Sequence, residues 1–221
     1  MRRTLTFRSL ALAGLLAPAA LIPAHATAAN ADVSAGDWLL RGGLTHVAPK
    51  SDNGNLDASG LGLSATAPAD VGSNTRPSGN ITYMMTDNLG LELLVAIPFK
   101  HDLNVGGVDI GSTRHLPPTL SLQYHFNTGT AVRPYVGAGI NYTYFFDEDT
   151  ASVTLGQDVD LDDSWGAAVQ AGIDFAVDDN WFVNAEVRWI DIDTDVSLGG
   201  AHLGTVNIDP WTFGMNVGYR F

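Results

Sequence analysis

Four histidines and two serines are the residues of this sequence whose types could support hydrolysis of an ester or a peptide. Acyl transfer needs a nucleophile, a general base and an acid that orients the base. The histidines fall near turn-rich segments with many aspartates, so they suggest a site at one rim of the fold. The residues concerned are His46, His101, His115, His202, Ser51 and Ser112.

No motif connects these residues. The chain contains neither G-x-S-x-G nor H-E-x-x-H, the patterns of a nucleophile elbow and of a zinc protease. Histidines in loops usually belong to the polar surface. We therefore expect no catalytic residue, and we expect that the protein is not an enzyme.

Acidic runs occur at three places, "DEDT" at 147–150, "DVDLDD" at 158–163 and "DIDTD" at 191–195. The last run begins like a calcium loop, but Val196 stands where the loop needs glycine and His202 where it needs a bidentate glutamate. An EF-hand is therefore excluded. We expect solvated surface charge, no metal site and no cofactor. Divalent cations shared with lipopolysaccharide phosphates are the alternative.

The elements that must position these residues are strands. Apolar and polar residues alternate with a period of two through most of the chain, with turn signals between the segments, and helical spacing does not persist anywhere. We predict an all-β fold with eight strands. The predicted strands cover 37–47, 74–86, 88–101, 114–126, 131–146, 163–176, 180–192 and 205–221.

The two faces of these strands differ sharply in polarity. One face is almost wholly apolar, as in the series Leu89, Leu91, Leu93, Val95 and Ile97. The alternate face is polar and partly charged. A soluble sandwich or a lipocalin would also alternate, with its apolar face turned inward.

Three features favour a barrel in an outer membrane. Aromatic residues such as Trp181 and Trp189 bracket strands, as rings do at the two membrane interfaces. Short turns alternate with long polar connections at about 47–74, 101–113, 147–162 and 193–205. The chain also ends in "DPWTFGMNVGYRF", with aromatic residues on alternate positions. We interpret Tyr219 and Phe221 as a signal read by the barrel-assembly machinery.

The N-terminal segment predicts export. Arg2, Arg3 and Arg8 precede the apolar run "LALAGLLAPAALIPA", which is typical of a secretory signal peptide. We expect cleavage after Ala26, with a second site two residues later. The expected domains are thus a signal peptide at 1–26 and a single barrel domain at 27–221.

Charge and cysteine content exclude several classes of function. Removing the signal peptide takes away three of eleven basic residues and no acidic one, which leaves 8 basic against 24 acidic residues and a formal net charge of −16. Nucleic acid is therefore not an expected partner. Because the chain has no cysteine, disulfides, thiolate zinc sites and thiol nucleophiles are excluded.

Six segments carry a resemblance to a known family. They are "GLELLVAIPFKHDL", "RHLPPTLSLQYHF", "RPYVGAGINYTYFFD", "DSWGAAVQAGIDF", "WFVNAEVRWIDIDT" and "DPWTFGMNVGYRF". In order and spacing they resemble the OmpW family of small outer-membrane proteins, from Gly36 onward. The resemblance implies an eight-stranded antiparallel transmembrane β-barrel with short periplasmic turns and long extracellular loops. It also implies that the narrow interior passes small hydrophobic molecules.

Two groups of inward residues and one group of prolines at strand ends are candidate functional residues in such a barrel. An eight-stranded barrel is nearly filled by its own side chains, so inward charges should pair and exclude an open pore. The expected lumen charge network is Arg41, Glu92, Arg133, Glu186 and Arg188. The expected apolar transport path is Leu94, Ala96, Phe145 and Phe182, with the alternative that Phe182, which lies beside a short turn, instead closes that end of the barrel. The expected lateral seam, at the facing loop-side ends of two strands where missing N–H groups weaken strand pairing, is Pro98, Pro117 and Pro118. The alternative is that these prolines only terminate the strands or mark bulges.

The sequence alone therefore favours passive conduction of small hydrophobic molecules, with lateral release into the bilayer. The alternative is a non-conducting barrel used for surface interaction, such as envelope stabilisation, adhesion, or attachment of phage or bacteriocin. The expected location is the outer membrane with both termini periplasmic. The expected partners are the lipid bilayer, lipopolysaccharide, the barrel-assembly machinery and small hydrophobic solutes.

Overall fold

The structure is a computed structural model, and it describes residues 29–50, 52–59, 66–151, 154 and 157–221. The expected signal peptide at 1–26 lies outside the described residues, as does Ser51. Within the described part there is no helix that is both long and apolar enough to cross a membrane.

Fifteen strands make up nearly all of the regular structure among the described residues. In chain order they are β1 (Trp38–Ala48), β2 (Asn55–Leu56), β3 (Ala67–Val71), β4 (Asn74–Met84), β5 (Leu89–Ala96), β6 (Phe99–Val105), β7 (Val108–Leu116), β8 (Thr119–His125), β9 (Val132–Thr150), β10 (Val159–Leu161), β11 (Ser164–Ala176), β12 (Trp181–Ile190), β13 (Asp193–Leu198), β14 (Ala201–Asn207) and β15 (Trp211–Arg220).

Eight of these strands close into an antiparallel barrel, which confirms the predicted fold. The order around the barrel is β1, β4, β5, β8, β9, β11, β12 and β15, and β15 pairs again with β1. Closure leaves no free strand edge, so backbone N–H and C=O groups along the wall can pair between strands, as a hydrocarbon solvent requires; the exception is the gap beyond Leu94 and Thr119, where the pairing of β5 with β8 ends. The observed strands coincide with the predicted segments to within a few residues, except at the Pro-containing ends of β5 and β8 and at the start of the last segment, where β15 begins at Trp211 and residues 205–207 belong to β14.

The outward face of the barrel is a continuous apolar band. On β15, for example, Phe213, Met215 and Val217 are more than half exposed, whereas the alternate residues Thr212 and Asn216 are buried inside. This arrangement reverses the normal inside and outside of a soluble protein, and it fits a barrel surrounded by lipid.

Aromatic side chains bound the apolar band at both ends. At the end with the short turns, here called the turn end, Trp38 packs on Tyr83 and Trp181 packs on Tyr219. At the opposite end, here called the loop end, Tyr142 packs on Trp165. Rings in two such belts are the expected anchors at the two membrane interfaces.

The long connections at the loop end form a second tube, which the sequence did not predict. Here β9 continues past the barrel to pair with β7, and the order goes on through β6, β3 and β2. On the other side, β10, β13 and β14 form a small sheet next to β9 and β2. Backbone hydrogen bonds from Asp57 N to Leu203 O (2.7 Å) and from Asn207 N to Asn53 O (3.0 Å) join the two halves. We call this tube the upper chamber.

The polarity of the upper chamber is opposite to that of the barrel. Along β6, His101, Leu103 and Val105 point inward and are buried, whereas Asp102 is exposed and Asn104 is half-buried on the outside. The inward side chains of its strands belong to one apolar cluster with the inner residues of β13 and β14. The segments that the sequence presents as polar loops are therefore strands with a polar exterior and an apolar interior.

Candidate functional site

The lumen of the barrel contains all five charged residues that the sequence assigned to it. Arg41, Glu92, Arg133, Glu186 and Arg188 lie on four different strands, with Glu186 and Arg188 both on β12, and each is at most 8% exposed. They point inward because the outward positions of the same strands must be apolar.

These charges form a paired network across the lumen. Arg188 Nη2 lies 2.7 Å from Glu92 Oε1 and 3.8 Å from Glu186 Oε2, and Arg41 Nη1 lies 3.9 Å from Glu92 Oε2. The amide groups of Gln123 and Gln170 also donate hydrogen bonds to Glu92. Buried charges are stable only when paired and hydrogen-bonded in this way.

Asp174 is a further member of the network, which the sequence-based prediction did not include. Its carboxylate accepts two hydrogen bonds from Arg41, at 3.3 and 2.9 Å, and one from Arg133. The five predicted residues alone carry an excess of one positive charge, and Asp174 makes the network neutral with three cations and three anions. Its inward position was available from the alternation of β11, where it shares the parity of Gln170.

Phe182 and the segment before β1 close the turn end of the barrel. The Phe182 ring lies under the guanidinium groups of Arg41 and Arg133, at 5.4 and 5.7 Å from its centre. It fits there because Gly218 opposite has no side chain, and a Cβ at that position would lie 2.2 Å from the ring. The buried Val33 belongs to the same hydrophobic cluster as Phe182.

The segment at 29–37 is held in place by hydrogen bonds to the wall. Arg133 donates to the carbonyl oxygen of Ala31, and Arg220 donates to that of Asp32. Asn127 bonds both the N–H (3.0 Å) and the C=O (2.9 Å) of Val33. An axial path towards the turn end is therefore blocked twice, by the charge network and by this plug.

Leu94 and Ala96 line a small pocket above the charge network. The pocket holds about 20 Å³, roughly the space of one water molecule, and Phe99, Pro117 and Glu186 are among its other lining residues. Of the four residues predicted for the transport path, the structure brings only these two together here. Phe182 lies at the turn end, and Phe145 lies in the upper chamber.

The wall beside this pocket is one residue thick at Ala96. Inside, Ala96 lines the Leu94 pocket. Outside, it lines a groove of about 420 Å³ with Leu116 and Pro118, and a second groove of about 360 Å³ with Pro77. A small side chain therefore separates the lumen from the lipid-facing surface.

Strand pairing is interrupted at the same place. The pairing of β5 with β8 stops at Leu94 and Thr119, and the next pair across this seam is Phe99 with His115. Within the described part of the chain, no strand pair joins residues 95–98 to 116–118. The three predicted seam prolines fall in this gap and supply no N–H group to close it. Pro117 lines the inner pocket and Pro118 the outer groove, whereas Pro98 lines neither.

A second cavity of about 20 Å³ lies inside the upper chamber. Its lining is mainly aliphatic, with Leu103, Val105 and Ile110 on one side and Phe145 at the end towards the barrel. Phe99 and Phe145 both pack edge-on against His115, at 5.6 and 5.7 Å between ring centres. These three rings separate the upper chamber from the Leu94 pocket.

The residues that suggested hydrolytic chemistry do not assemble into a catalytic site in the described residues. His46 and His202 are exposed on the outer surface, and His46 bonds to Thr75. His101 and His115 point into the upper chamber. Among the described serines, none hydrogen-bonds to a histidine, so the expected pairing of a serine nucleophile with a histidine base is not found in that part of the chain.

Three carboxylates of the acidic loops do come together. One oxygen each of Asp191, Asp193 and Asp209 lies within 4.8 Å of the others. Lys50 Nζ lies 2.6 Å from Asp209 Oδ2 and neutralises part of this charge. The cluster is at the outer surface, and partial burial, together with the negative charges of Asp209 and Asp191, raises the pKa of Asp193.

The end of the chain closes the barrel next to its first strand. Trp38 N donates to Phe221 O (2.9 Å), and Phe221 N donates to Trp38 O (3.1 Å). The Phe221 side chain is 60% exposed on the lipid-facing side and packs on Tyr219. Both residues of the predicted assembly signal therefore remain accessible at the turn end.

Comparison with known proteins gives one consistent result. A model of the OmpW family matches residues 34–221. Outer membrane protein W of Escherichia coli is 41% identical over 227 residues, which cover 99% of this chain and 100% of that protein. The crystal structure of the outer membrane protein OprG from Pseudomonas aeruginosa has a TM-score of 0.76 and 37% identity, and the match covers 86% of this chain and 98% of OprG. The dibenzothiophene metabolism operon protein PahQ of Pseudomonas aeruginosa is 28% identical over 196 residues, which cover 83% of this chain and 88% of PahQ.

Proposed function

Because the chain belongs to the OmpW family and is an outer-membrane barrel, we propose that it passively conducts small hydrophobic molecules and releases them sideways into the bilayer. The solute enters the upper chamber and passes the three rings of Phe99, His115 and Phe145 to reach the Leu94 pocket. It then leaves through the wall at Ala96. The turn end faces the periplasm in this proposal.

The thin wall at Ala96 is the observation that carries the proposal. An apolar solute in the Leu94 pocket has the charge network below it and the lipid-facing grooves beside it. Moving down would place the solute among buried ions and would displace groups that stabilise them, which is costly. Moving sideways requires only that a stretch of wall without strand pairing opens.

The polarity of the two tubes supports the same direction of movement. The exterior of the upper chamber is polar and its interior apolar, so an apolar solute crossing the lipopolysaccharide layer stays in an apolar environment. In the barrel the apolar surface is on the outside. A solute that follows apolar surface must therefore change from the inside to the outside of the wall, and the seam is where the wall is weakest.

The name of one relative points to the same class of solute. PahQ is named for an operon of dibenzothiophene metabolism, and dibenzothiophene is an uncharged aromatic compound. The proposal for this chain is of the same chemical kind, small and uncharged, without a particular compound.

A cross-link across the seam tests the proposal. The chain has no cysteine, so Ala96→Cys with Leu116→Cys gives one defined pair for a short bifunctional thiol reagent. We expect cross-linking to abolish uptake of an apolar tracer into vesicles whose outer leaflet contains lipopolysaccharide, because plain phospholipid admits such tracers unaided. The matched control is Val183→Cys with Val217→Cys, a directly opposed pair on the lipid-facing side of β12 and β15.

The outcomes separate the alternatives. Uptake that survives the seam cross-link contradicts lateral release. Uptake of a sugar tracer as well would indicate an aqueous pore. If no tracer enters above the level of protein-free vesicles, conduction is wrong, and the barrel serves a surface interaction through its upper chamber.

A further inference from the structure

Two histidines lie side by side inside the upper chamber. His101 on β6 and His115 on β7 are 4% and 2% exposed, and their ring centres are 4.9 Å apart. Both line the cavity together with aliphatic side chains. Imidazoles are unusual in such a lining because each ring nitrogen needs a hydrogen-bond partner once it is removed from water.

Three of the four ring nitrogens have no partner within the described part of the chain. His101 Nδ1 bonds to the carbonyl oxygen of Gly72. His101 Nε2 and both nitrogens of His115 are buried without a hydrogen bond. The nearby hydroxyl groups of Thr113 and Thr194 donate to backbone carbonyl oxygens instead.

The bond to Gly72 determines which nitrogen of His101 is free to accept. A carbonyl oxygen only accepts, so Nδ1 must carry the proton and donate it. In the neutral ring, Nε2 is then a bare acceptor. His115 has no such constraint and offers one N–H donor and one acceptor. Together the two rings present an acceptor on His101 and a donor on His115 at neighbouring positions.

We propose that this pair, the histidine pair, binds the hydroxyl group of a small apolar alcohol or phenol as it passes through the upper chamber. The hydroxyl donates its proton to His101 Nε2 and accepts the N–H of His115. The inference rests on the proposed conduction, and it narrows the solutes from hydrophobic molecules in general to those with one hydroxyl head.

Size and charge agree with this ligand. The cavity of about 20 Å³ holds about one water molecule, which is also the size of a hydroxyl group. The apolar tail then displaces aliphatic side chains such as Leu103 and Val105. Burial lowers the pKa of both histidines, that of His115 to about 3, so the rings are uncharged at neutral pH and suit a neutral head.

The test compares two isomers of one formula. 1-Hexanol and methyl pentyl ether have the same atoms and nearly the same size, but only the alcohol can donate a proton. Each is titrated into the full chain in lipid nanodiscs with ¹⁵N-labelled histidine. We expect the His101 Nε2 resonance to shift with hexanol and to stay in place with the ether.

Two variants complete the test. In His101→Leu we expect hexanol to bind about 10-fold more weakly, the loss expected for one hydrogen bond between neutral groups, and the ether to bind as before. His46→Leu, which removes an exposed histidine, is the matched control and leaves both affinities unchanged. If His101→Leu does not fold, the comparison of hexanol with the ether in the wild type still tests whether the histidine pair binds a hydroxyl group.

The contrary results are distinct from failure of the conduction proposal. Equal shifts with alcohol and ether, or no shift with either while an apolar tracer still crosses vesicles, would overturn the hydroxyl site and leave conduction intact. A shift with hexanol in a protein that admits no tracer would leave the site and remove the conduit on which the inference rests.

Discussion

Arg188 and Glu92 form an ion pair of 2.7 Å with both side chains completely buried in the lumen. We expect Glu92→Ala to lower the free energy of unfolding by about 3–5 kcal/mol, because it leaves Arg188 charged without its nearest carboxylate. Urea unfolding in lipid vesicles, followed by tryptophan fluorescence, measures the change.

A double variant separates the cost of a broken pair from the value of the pair. Glu92→Gln with Arg188→Met removes both charges, and we expect it to cost much less than Glu92→Ala alone. Asp102→Asn, which changes an exposed acid on β6, serves as control. A double variant as unstable as the single one would mean that the network stabilises the barrel rather than only filling it.

Leu94 is the next test of the conduit. We expect Leu94→Asp to reduce uptake of an apolar tracer by roughly 10-fold or more, because a charge in the small pocket is costly to desolvate for any apolar solute that must pass it. Leu94→Met keeps the size and polarity of the side chain and should conduct normally. Uptake through lipopolysaccharide-containing vesicles measures both. An unchanged rate in Leu94→Asp would place the path elsewhere.

His115 makes the upper chamber sensitive to acid. Burial and the neighbouring His101 lower its pKa from 6.5 to about 3, and its other ring neighbours are Phe99 and Phe145. Since the folded pKa is below the unfolded one, the opened state binds more protons between these values, and stability falls as the pH drops below about 6.5. The slope approaches about 1.4 kcal/mol per pH unit for this one group.

Hydrogen exchange of the β6 and β7 amides between pH 7.5 and 5 measures this effect. After correction for the intrinsic pH dependence of exchange, we expect protection to fall with pH in the wild type and to fall less in His115→Leu. The amides of β12 in the barrel should show no such trend. Equal slopes in the wild type and the variant would show that another group controls the opening.

Phe221 distinguishes assembly from stability. Its two hydrogen bonds to Trp38 use only backbone atoms, so Phe221→Ala should keep them and change the free energy of unfolding by less than about 1 kcal/mol. We expect the amount of assembled protein in the outer membrane of cells to fall several-fold, because the exposed ring is the part that the assembly machinery can read. Val217→Ala, on the same lipid-facing row, is the control. Equal losses in both variants would indicate a general effect of lipid contact.

The barrel could be predicted from the sequence because lipid imposes a simple rule on every spanning strand. Outward residues such as Leu93 and Val217 must be apolar, and the alternation follows directly. The lumen residues follow from the same parity, as Arg41 and Glu92 show. Asp174 obeys the parity too, but its partners Arg41 and Arg133 are on other strands, so only the folded barrel shows that it completes the charge balance.

The upper chamber could not be predicted from the same rule because its strands are in water. Leu103 and Val105 alternate with Asp102 and Asn104 as in a soluble protein, and the short strands lie between glycines and aspartates that resemble loop sequence. The thin wall at Ala96 and the unpaired ring nitrogens of His115 likewise depend on how segments that are distant in the sequence pack together. The residue spacing within a single strand does not predict either feature.

The long strand β9 sets the vertical position of the protein in its membrane. Its outward side chains run from Val136 and Ile140 through Tyr144 to the exposed Asp147, which is paired with Arg114, so one strand crosses from hydrocarbon to water. The rise is about 3.3 Å per residue, so a shift of the barrel by two residues along the membrane normal would bring an acidic side chain into the hydrocarbon or an aliphatic side chain of the apolar band into water. A bilayer of different hydrophobic thickness must therefore adjust to the barrel locally, and the seam beside Ala96 is held at a constant depth just beneath the interface.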